Sequence, residues 1–152
     1  MSQPIIKVKA MGLFVSPDGR FLASSDVDSV KQQPFLRLLG GHVEFGELSA
    51  DTLRREIQEE IAADCSIGPL LEVVENIFVY EGRPGHEIVF IYAATFTDPA
   101  FYERAEIPVV EPDSVMTAIW TPCADVVAGR VFLYPTTDYA PHFARLLERF
   151  PI

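Results

Sequence analysis

The sequence predicts an α/β domain in which a mixed β-sheet is packed between helices, with residues 1–152 forming a single domain. Three observations support this prediction. Apolar segments of strand length are separated by turn sequences, two other segments show the 3.6-residue periodicity of amphipathic helices, and strands and helices do not alternate as they do in βαβ folds. A chain of 152 residues also has the size of one typical domain.

The first predicted elements are the two strands of a β-hairpin. Residues 5–15 are apolar and rich in residues that favour strands. The sequence Ser-Pro-Asp-Gly at residues 16–19 is typical of a turn, so residues 20–25 are predicted to be the returning strand.

The next segment leads to a pair of glycines. Residues 26–33 are polar and are predicted to form a loop. Residues 35–39 predict a short strand that ends at Gly40 and Gly41. Glycine allows unusual backbone conformations and a close approach of other groups, so this pair indicates a loop with a special geometry.

A strongly amphipathic helix follows the glycines. Ser49 is its predicted N-cap, and Ile57 lies on the apolar face that would contact a core. Because alanine favours helices, Ala62 and Ala63 are expected to continue this helix as far as Asp64.

The same helix carries a cluster of acidic side chains next to its apolar face. Glu56, Glu59 and Glu60 are spaced i, i+3 and i+4, so they fall within an arc of roughly 100°. Like charges at this spacing destabilise a helix. Their clustering indicates a divalent cation, since hard cations such as Mg²⁺ take carboxylate oxygens as ligands.

The second half of the chain is predicted to contain three more strands, one long loop and two helices. In chain order these are a strand over residues 70–80, a turn over 82–85, a strand over 87–96, an acid-rich loop over 97–113, a strand over 114–121, and helices over 122–128 and 139–150. The last helix would bury one apolar side formed by Phe143, Leu146, Leu147 and Phe150.

The residues from Gly41 to Ala63 resemble the Nudix box of the Nudix hydrolases, whose pattern is G-x5-E-x7-R-E-U-x-E-E-x-G-U, with U a bulky aliphatic residue. The sequence matches the first glycine and every charged position, namely Gly41, Glu47, Arg55, Glu56, Glu59 and Glu60. Ala62 replaces the second glycine, and the small Ala63 replaces the last aliphatic residue. A match of this kind at fixed spacing is specific, although it covers only about a sixth of the chain.

This resemblance implies an α/β/α sandwich and a metal-dependent hydrolase. Mg²⁺, or alternatively Mn²⁺, would be bound by Gly41, Glu56, Glu59 and Glu60. Catalytic roles are expected for Glu47, Arg55 and Glu59, with Arg55 orienting carboxylates by ion pairing. Substrate contacts are expected at Arg37, Gly40, Gly41 and His42, with Arg37 being either a surface charge or a contact for phosphate.

The general base remains open at this point. In Nudix enzymes the carboxylate that activates water is either a glutamate of the box or an acid from a loop outside it. A carboxylate that is not bound to metal is the stronger base. Glu111 is the candidate in the acid-rich loop, because it lies nearest the following strand; the alternative is that this loop is simply solvated.

The implied substrates are nucleotide-derived small molecules, such as ADP-ribose and other nucleotide sugars, nucleoside triphosphates or dinucleoside polyphosphates. The sequence does not choose among them. A catalytically silent nucleotide-binding module would be marked by a lost box carboxylate, and none is lost. A carboxylate-bridged redox metal site would need paired Glu-x-x-His motifs, which the sequence lacks.

Charge and composition limit the classes of binding partner and the cellular location that are expected for the protein. A net charge of −10 argues against nucleic-acid binding, whereas a bound cation would reverse the local field for a phosphate substrate. No apolar run approaches the roughly 18 residues that span a membrane, and residues 1–10 do not resemble a signal peptide. Cys65 and Cys123 are expected to be reduced, buried thiols of a cytoplasmic protein. A homodimer is compatible with these features.

Overall fold

The computed structural model describes residues 4–149, which form two β-sheets with helices packed on them. The elements in chain order are β1 (Lys7–Phe14), β2 (Arg20–Asp28), β3 (Gln33–Arg37), β4 (Leu39–His42), α1 (Ser49–Ile61), β5 (Cys65–Tyr80), β6 (Arg83–Phe96), a 3₁₀ helix (Pro99–Glu103), β7 (Glu106–Glu111), β8 (Ser114–Pro122), α2 (Cys123–Val127), β9 (Leu133–Tyr134) and α3 (Ala140–Leu147). Within this part of the chain, no helix combines the length and the apolar character needed to cross a membrane.

Both sheets are mixed, which confirms the predicted α/β class. The first sheet has the order β4-β1-β6-β5, with β1 and β6 parallel. The second has the order β7-β8-β2-β3-β9, with β3 and β9 parallel. The strands are thus divided between two sheets, and the space between the sheets borders the site described below.

Strand β1 is central because its side chains alternate between two apolar cores. Ala10 and Phe14 belong to a core that includes Leu53 of α1. Leu13, on the other face of the strand, belongs to a core that includes Phe143 of α3. All five side chains are buried. Helices α1 and α3 therefore pack on opposite sides of the strand.

The predicted hairpin of β1 and β2 is wrong, although its turn is present. The amide of Gly19 donates to the carbonyl of Ser16 at 3.1 Å, but only the bridge between Val15 and Phe21 joins the two strands. Both edges of β1 are occupied, by β4 on one side and β6 on the other. Strand β2 therefore leaves for the second sheet, where it pairs with β3 and β8.

Three other predicted boundaries differ from the structure. The loop predicted over residues 26–33 is shorter, because β2 continues to Asp28 and β3 begins at Gln33. The β5–β6 turn is centred on Glu81 and Gly82, which have φ angles of 52° and 74°, rather than on residues 82–85. Strand β5 begins before Pro69, which lies where the pairing register with β6 is irregular.

The acid-rich segment over residues 97–113 is not a long loop. It contains the 3₁₀ helix and β7, which pairs with β8. Ile107 and Val109 are buried and alternate with exposed residues, which is the period-two pattern of a half-buried strand. Pro108 is tolerated because β7 is an edge strand.

Helix α1 begins and ends differently from the prediction. Leu48, rather than Ser49, occupies the N-cap position, and the Ser49 hydroxyl instead shares a 2.6 Å hydrogen bond with the hydroxyl of Tyr92. The predicted extension to Asp64 is wrong, because Ala62 adopts the left-handed conformation with φ 54° and ψ 40°. This reversal is needed since the chain must turn at once into β5, where Cys65 is buried.

The C-terminal helix α3 ends at Leu147 and is shorter than predicted. Phe143 and Leu146 are buried as expected, whereas Phe150 lies outside the described residues. The helix is attached to β5 through Glu72, whose carboxylate lies 3.0 Å from Nε2 of His142. Both cysteines are free and buried, as predicted.

Replacing Ala62 with glycine is expected to stabilise the protein by about 1 kcal/mol. An L-residue with a Cβ is strained in the left-handed region, and glycine is not. The measurement is the free energy of unfolding in urea. Ala144→Gly is the matched control, because Ala144 is exposed within the right-handed helix α3, where glycine should instead destabilise by a similar amount. Destabilisation by both changes would contradict the prediction.

Candidate active site

The acidic face of α1 lines an open cleft of about 710 Å³. Glu56, Glu59 and Glu60 contribute from the helix, as the spacing of the sequence predicts. The other predicted residues that line this cleft are Arg37, Gly40, Gly41, His42 and Glu111. The structure therefore brings together residues that are separated by up to 74 positions in the chain.

The glycine pair allows the backbone to approach α1 closely. A Cβ atom at Gly41 would collide with the carboxyl group of Glu56. Gly40 has a φ angle of 152°, and a Cβ atom there would collide with the carbonyl of Ala10 in the adjacent strand β1. Neither position accepts a side chain without movement of its neighbours, so the pair fixes the distance between β4 and the acidic face of the helix.

Arg55 connects the acidic side chains. Its guanidinium group makes two hydrogen bonds to Glu47, at 2.8 and 2.9 Å. It also donates to Glu56 at 2.9 Å and reaches Glu59 at 3.3 Å and the main-chain carbonyl of His42 at 3.1 Å. Bidentate pairing of this kind is strong and directional. Arg55 therefore orients the carboxylates, as the sequence predicts, and it does not itself line the cleft.

Glu47 does not line the cleft, and its carboxylate oxygens already accept hydrogen bonds from neighbouring side chains. The hydrogen bonds from Arg55, followed by the bond from the Thr52 hydroxyl at 2.6 Å, lower the pKa of Glu47 to about 2. Its carboxylate is thus ionised and fully engaged at neutral pH. This geometry favours a positioning role for Glu47 over direct contact with a metal ion or a water molecule.

Glu60 has the opposite environment. It is only 6% exposed, and its Oε1 atom has no hydrogen-bond partner within the described residues. Burial, followed by the charges of Glu56 and Glu111, raises the pKa of Glu60 to about 8. A buried, unpartnered carboxylate oxygen is costly unless a cation or a hydrogen-bond donor satisfies it.

Two basic side chains border the acidic cleft. Arg37 donates from Nη2 to Glu111 at 3.2 Å, so the structure places its charge in the cleft and not on the outer surface. Lys9, which the sequence analysis missed, lies 2.9 Å from Glu87 and also lines the cleft. The available signal was the alternation of Lys7 and Lys9 at the start of a strand that is otherwise apolar.

His42 is not a source of positive charge at neutral pH. Partial desolvation lowers the pKa of its imidazole, and the nearby charges of Lys9 and Lys7 lower it further. His42 thus lines the cleft as a neutral group that donates or accepts a hydrogen bond.

The chemistry of the cleft fits a divalent cation. Carboxylates of Glu56, Glu59 and Glu60 supply hard oxygen donors, and the orphaned Oε1 of Glu60 offers an unsatisfied ligand atom. Over residues 4–149, however, no three His, Cys, Asp or Glu side chains are already gathered as a metal site. Arg55 holds Glu56 and Glu59, so these side chains would have to adjust when an ion binds.

Glu60→Gln is expected to stabilise the metal-free protein at pH 8 by about 2 kcal/mol, because it removes a buried charge. The pKa of Glu60 in the folded protein, about 8, exceeds its ordinary value of 4.5. Between pH 4.5 and pH 8 the folded state therefore binds more protons at this residue than the unfolded state does. Stability of the unsubstituted protein should therefore fall as pH rises from 4.5 to 8.

This expectation is checked by urea unfolding at pH 5 and pH 8 in the presence of a chelator. The stabilisation by Glu60→Gln should shrink at pH 5, where Glu60 is already neutral. Glu106→Gln is the control, because Glu106 is exposed on β7 and should show no such difference. An equal effect of Glu60→Gln at both pH values would contradict the prediction.

Comparison with known proteins shows which family the chain resembles in sequence and in structure. The profile of the NUDIX domain matches residues 7–146. A MutT NUDIX hydrolase from Burkholderia pseudomallei is 25% identical with a TM-score of 0.59, and the match covers 93% of this chain and 97% of that one. A NUDIX hydrolase from Nitrosomonas europaea is 14% identical with a TM-score of 0.60, covering 97% and 90% of the two chains. An ADP-ribose pyrophosphatase from Streptococcus suis is 14% identical with a TM-score of 0.57, covering 94% and 90%.

Proposed function

The chain belongs to the NUDIX domain family and is a Nudix hydrolase, and we propose that it cleaves the pyrophosphate bond of a nucleoside diphosphate linked to another group. The reaction uses Mg²⁺, with Mn²⁺ as an alternative ion, and residues 1–152 act as one domain. The observation that carries this proposal is the buried carboxylate of Glu60, whose Oε1 atom has no partner among the described residues, next to the other acidic residues of α1.

The metal ligands in this proposal are Glu56, Glu59, Glu60 and the carbonyl of Gly41. When bound, the cation neutralises the pyrophosphate and polarises the phosphorus–oxygen bond that breaks. Arg55 keeps Glu56 and Glu59 in position, and Glu47 in turn holds Arg55. In this proposal Arg37, Gly40, Gly41 and His42, which all line the cleft, contact phosphate oxygens of the substrate.

The general base in this proposal is Glu111. It lines the same cleft as the three helix carboxylates, at the end of β7, but it belongs to a different element and is not held by Arg55. Its partner is Arg37 at 3.2 Å, which orients the carboxylate. A carboxylate outside the metal-binding set can accept the proton of the attacking water.

The substrate is a nucleotide-derived small molecule. Nudix hydrolases act on such compounds, and one structurally similar protein is an ADP-ribose pyrophosphatase. Nucleotide sugars such as ADP-ribose, nucleoside triphosphates and dinucleoside polyphosphates are the classes proposed here. The net charge of −10 supports the exclusion of nucleic acid as a partner. We also propose a cytoplasmic location, which the two free thiols support. A homodimer is proposed as the oligomeric state.

The direct test is a substrate panel with and without Mg²⁺, followed by chromatographic identification of the products. Cleavage of a pyrophosphate bond should release a nucleoside monophosphate together with a second phosphorylated product, which is inorganic pyrophosphate when the substrate is a nucleoside triphosphate. Turnover should disappear with a chelator and return when the metal is restored. Tight nucleotide binding without turnover of any substrate would instead indicate a nucleotide-sensing module.

Glu59→Gln is expected to lower kcat by at least about two orders of magnitude while the fold survives. The amide keeps the size of the side chain but removes one ligand charge. The measurement is kcat at saturating Mg²⁺ and substrate. Asp51→Asn is the control, because Asp51 is an exposed acid on the same helix that pairs only with Arg54 among the described side chains. Near-normal turnover of Glu59→Gln would refute the role of this residue.

Glu111→Gln is expected to lower kcat by about 10² to 10⁴ with little change in KM, as removal of a general base does. The acidic limb of the pH–rate profile should also disappear. Glu103→Gln is the comparison, because Glu103 is an exposed acid of the preceding 3₁₀ helix and should leave turnover near normal. If both variants turn over normally, the base lies within the Nudix box.

A further inference from the structure

We propose that Thr52 is a positioning residue of the metal site and acts through Glu47 and Arg55. Thr52 is one of the seven residues between Glu47 and Arg55 that the Nudix pattern leaves unspecified. This inference rests on the proposed function, because it gives Thr52 a part in the binding of the cation by α1. Thr52 is the fourth residue of α1, has no exposed surface and does not line the cleft.

The hydroxyl of Thr52 donates to the carboxylate of Glu47. Its Oγ1 atom lies 2.6 Å from Oε1 of Glu47 and 3.3 Å from the carbonyl oxygen of Leu48, one helical turn earlier. A hydroxyl has a single hydrogen to donate. The shorter contact receives it, because hydrogen bonds to ionised acceptors are shorter and stronger than those between neutral groups. The contact with Leu48 is therefore secondary.

Threonine is an unfavourable residue for this position of the helix unless its hydroxyl is needed. Its branched side chain has a lower helix propensity than alanine or leucine, and a buried hydroxyl costs free energy unless it is hydrogen-bonded. The buried residues Leu53 and Ile57 of the same helix are apolar. Packing alone would be served by an apolar side chain at residue 52 as well. The bond to Glu47 is thus the feature that requires threonine.

Glu47 transmits this restraint to Arg55. Glu47 lies before α1, outside any helix or strand, so regular structure does not fix its side chain. Its Oε1 atom accepts hydrogen bonds from Thr52 and from Nη2 of Arg55, and its Oε2 atom accepts from Nε of Arg55. The amide of Glu44, at 3.3 Å, is a weaker donor to Oε1. Because two parallel bonds orient the guanidinium group, holding Oε1 fixes the direction in which Arg55 points.

The restraint on Arg55 matters most when the acidic face of α1 binds an ion. Nη1 of Arg55 donates to Glu56 at 2.9 Å and reaches Glu59 at 3.3 Å. Both carboxylates must give up these bonds to become metal ligands. Among the carboxylates within hydrogen-bond distance of Arg55 in residues 4–149, only Glu47 then remains. An arginine free to follow the ligands would bring its charge towards the cation. By holding Glu47, Thr52 therefore raises the affinity for the cation.

The test measures Mn²⁺ binding to the full chain without substrate, from the electron paramagnetic resonance signal of the free ion. Thr52→Val keeps the shape of the side chain but removes the hydroxyl, and Thr52→Ala removes it with a residue that favours helices. Each should weaken Mn²⁺ binding by about 10-fold, the lower end of the range for residues that support metal ligands. Thr52→Ser keeps the hydroxyl and should restore the affinity of the unsubstituted chain.

Two further variants show whether the effect belongs to Thr52 and depends on Glu47. Thr121→Val changes another buried threonine, which lies on β8 and does not line the cleft, and it should leave Mn²⁺ binding unchanged. In a chain that carries Glu47→Ala, adding Thr52→Val should cause no further loss, because two residues that act in series are not additive. Circular dichroism on every variant confirms that its fold is intact.

The turnover assay should separate metal binding from the later steps. Thr52→Val should raise the Mn²⁺ concentration that gives half of the maximal rate by about 10-fold. At saturating Mn²⁺ the values of kcat and of KM for substrate should change by a smaller factor, because Thr52 contacts neither the substrate nor the reacting atoms. A residue that only stabilised the fold would not produce this separation.

Three results would each overturn the inference. The first is normal Mn²⁺ affinity in both Thr52→Val and Thr52→Ala, and the second is an equal loss in Thr52→Ser. The third is a further 10-fold loss when Thr52→Val is added to Glu47→Ala, since Thr52 would then act by another route. A loss of the same size in Thr121→Val would also overturn it, because the effect would not be particular to the site.

The outcome is separable from that of the proposed function. If members of the substrate panel are cleaved while Mn²⁺ affinity does not depend on the Thr52 hydroxyl, the hydrolase assignment stands and this inference is wrong. If Mn²⁺ affinity depends on that hydroxyl but no pyrophosphate bond is cleaved, the positioning role stands and the proposed reaction is wrong.

Discussion

The concentration of negative charge on one face of α1 is the constraint on which the structure of the site depends. Neighbouring carboxylates at i, i+3 and i+4 oppose helix formation unless an opposite charge compensates them. Arg55 provides this charge for Glu47, Glu56 and Glu59 but does not reach Glu60. The compensation is therefore incomplete, and burial together with the charges of Glu56 and Glu111 raises the pKa of Glu60. The unbalanced charge faces the cleft and not the core, which is the arrangement that a cation would complete.

The fold provides two neighbouring cavities with different chemistry. Strand β1 contributes to both, because its side chains at Lys9 and Met11 lie at their junction. The acidic cleft is bounded by α1 and the glycine pair. The second cavity, which is lined by the rings of Phe35, Phe78, Tyr80 and Tyr134, lies between β5 and β6 of one sheet and β3 of the other. The division of the strands into two sheets thus separates the acidic groups from a surface lined by aromatic rings.

Local patterns in the sequence predicted the acidic site well and the long-range structure less well. The positions of Glu56, Glu59 and Glu60 follow from helical periodicity, which requires only neighbouring residues. The pairing of β1 with β6 instead of β2 depends on competition among strands far apart in sequence, which no local pattern reports. At Ala62 the tertiary requirement for a turn overrides the helix propensity of alanine.

The cleft also links the binding of metal and substrate. Its acidic side chains disfavour the approach of an anionic pyrophosphate. The charge of Lys9 is already paired with Glu87, and that of Arg37 is paired with Glu111. Little free positive charge remains to attract a phosphate in this protein of net charge −10. On the proposed function, a bound cation reduces the repulsion that the substrate meets, and the substrate in turn adds oxygen ligands for the cation. By thermodynamic linkage each then raises the affinity for the other by the same factor.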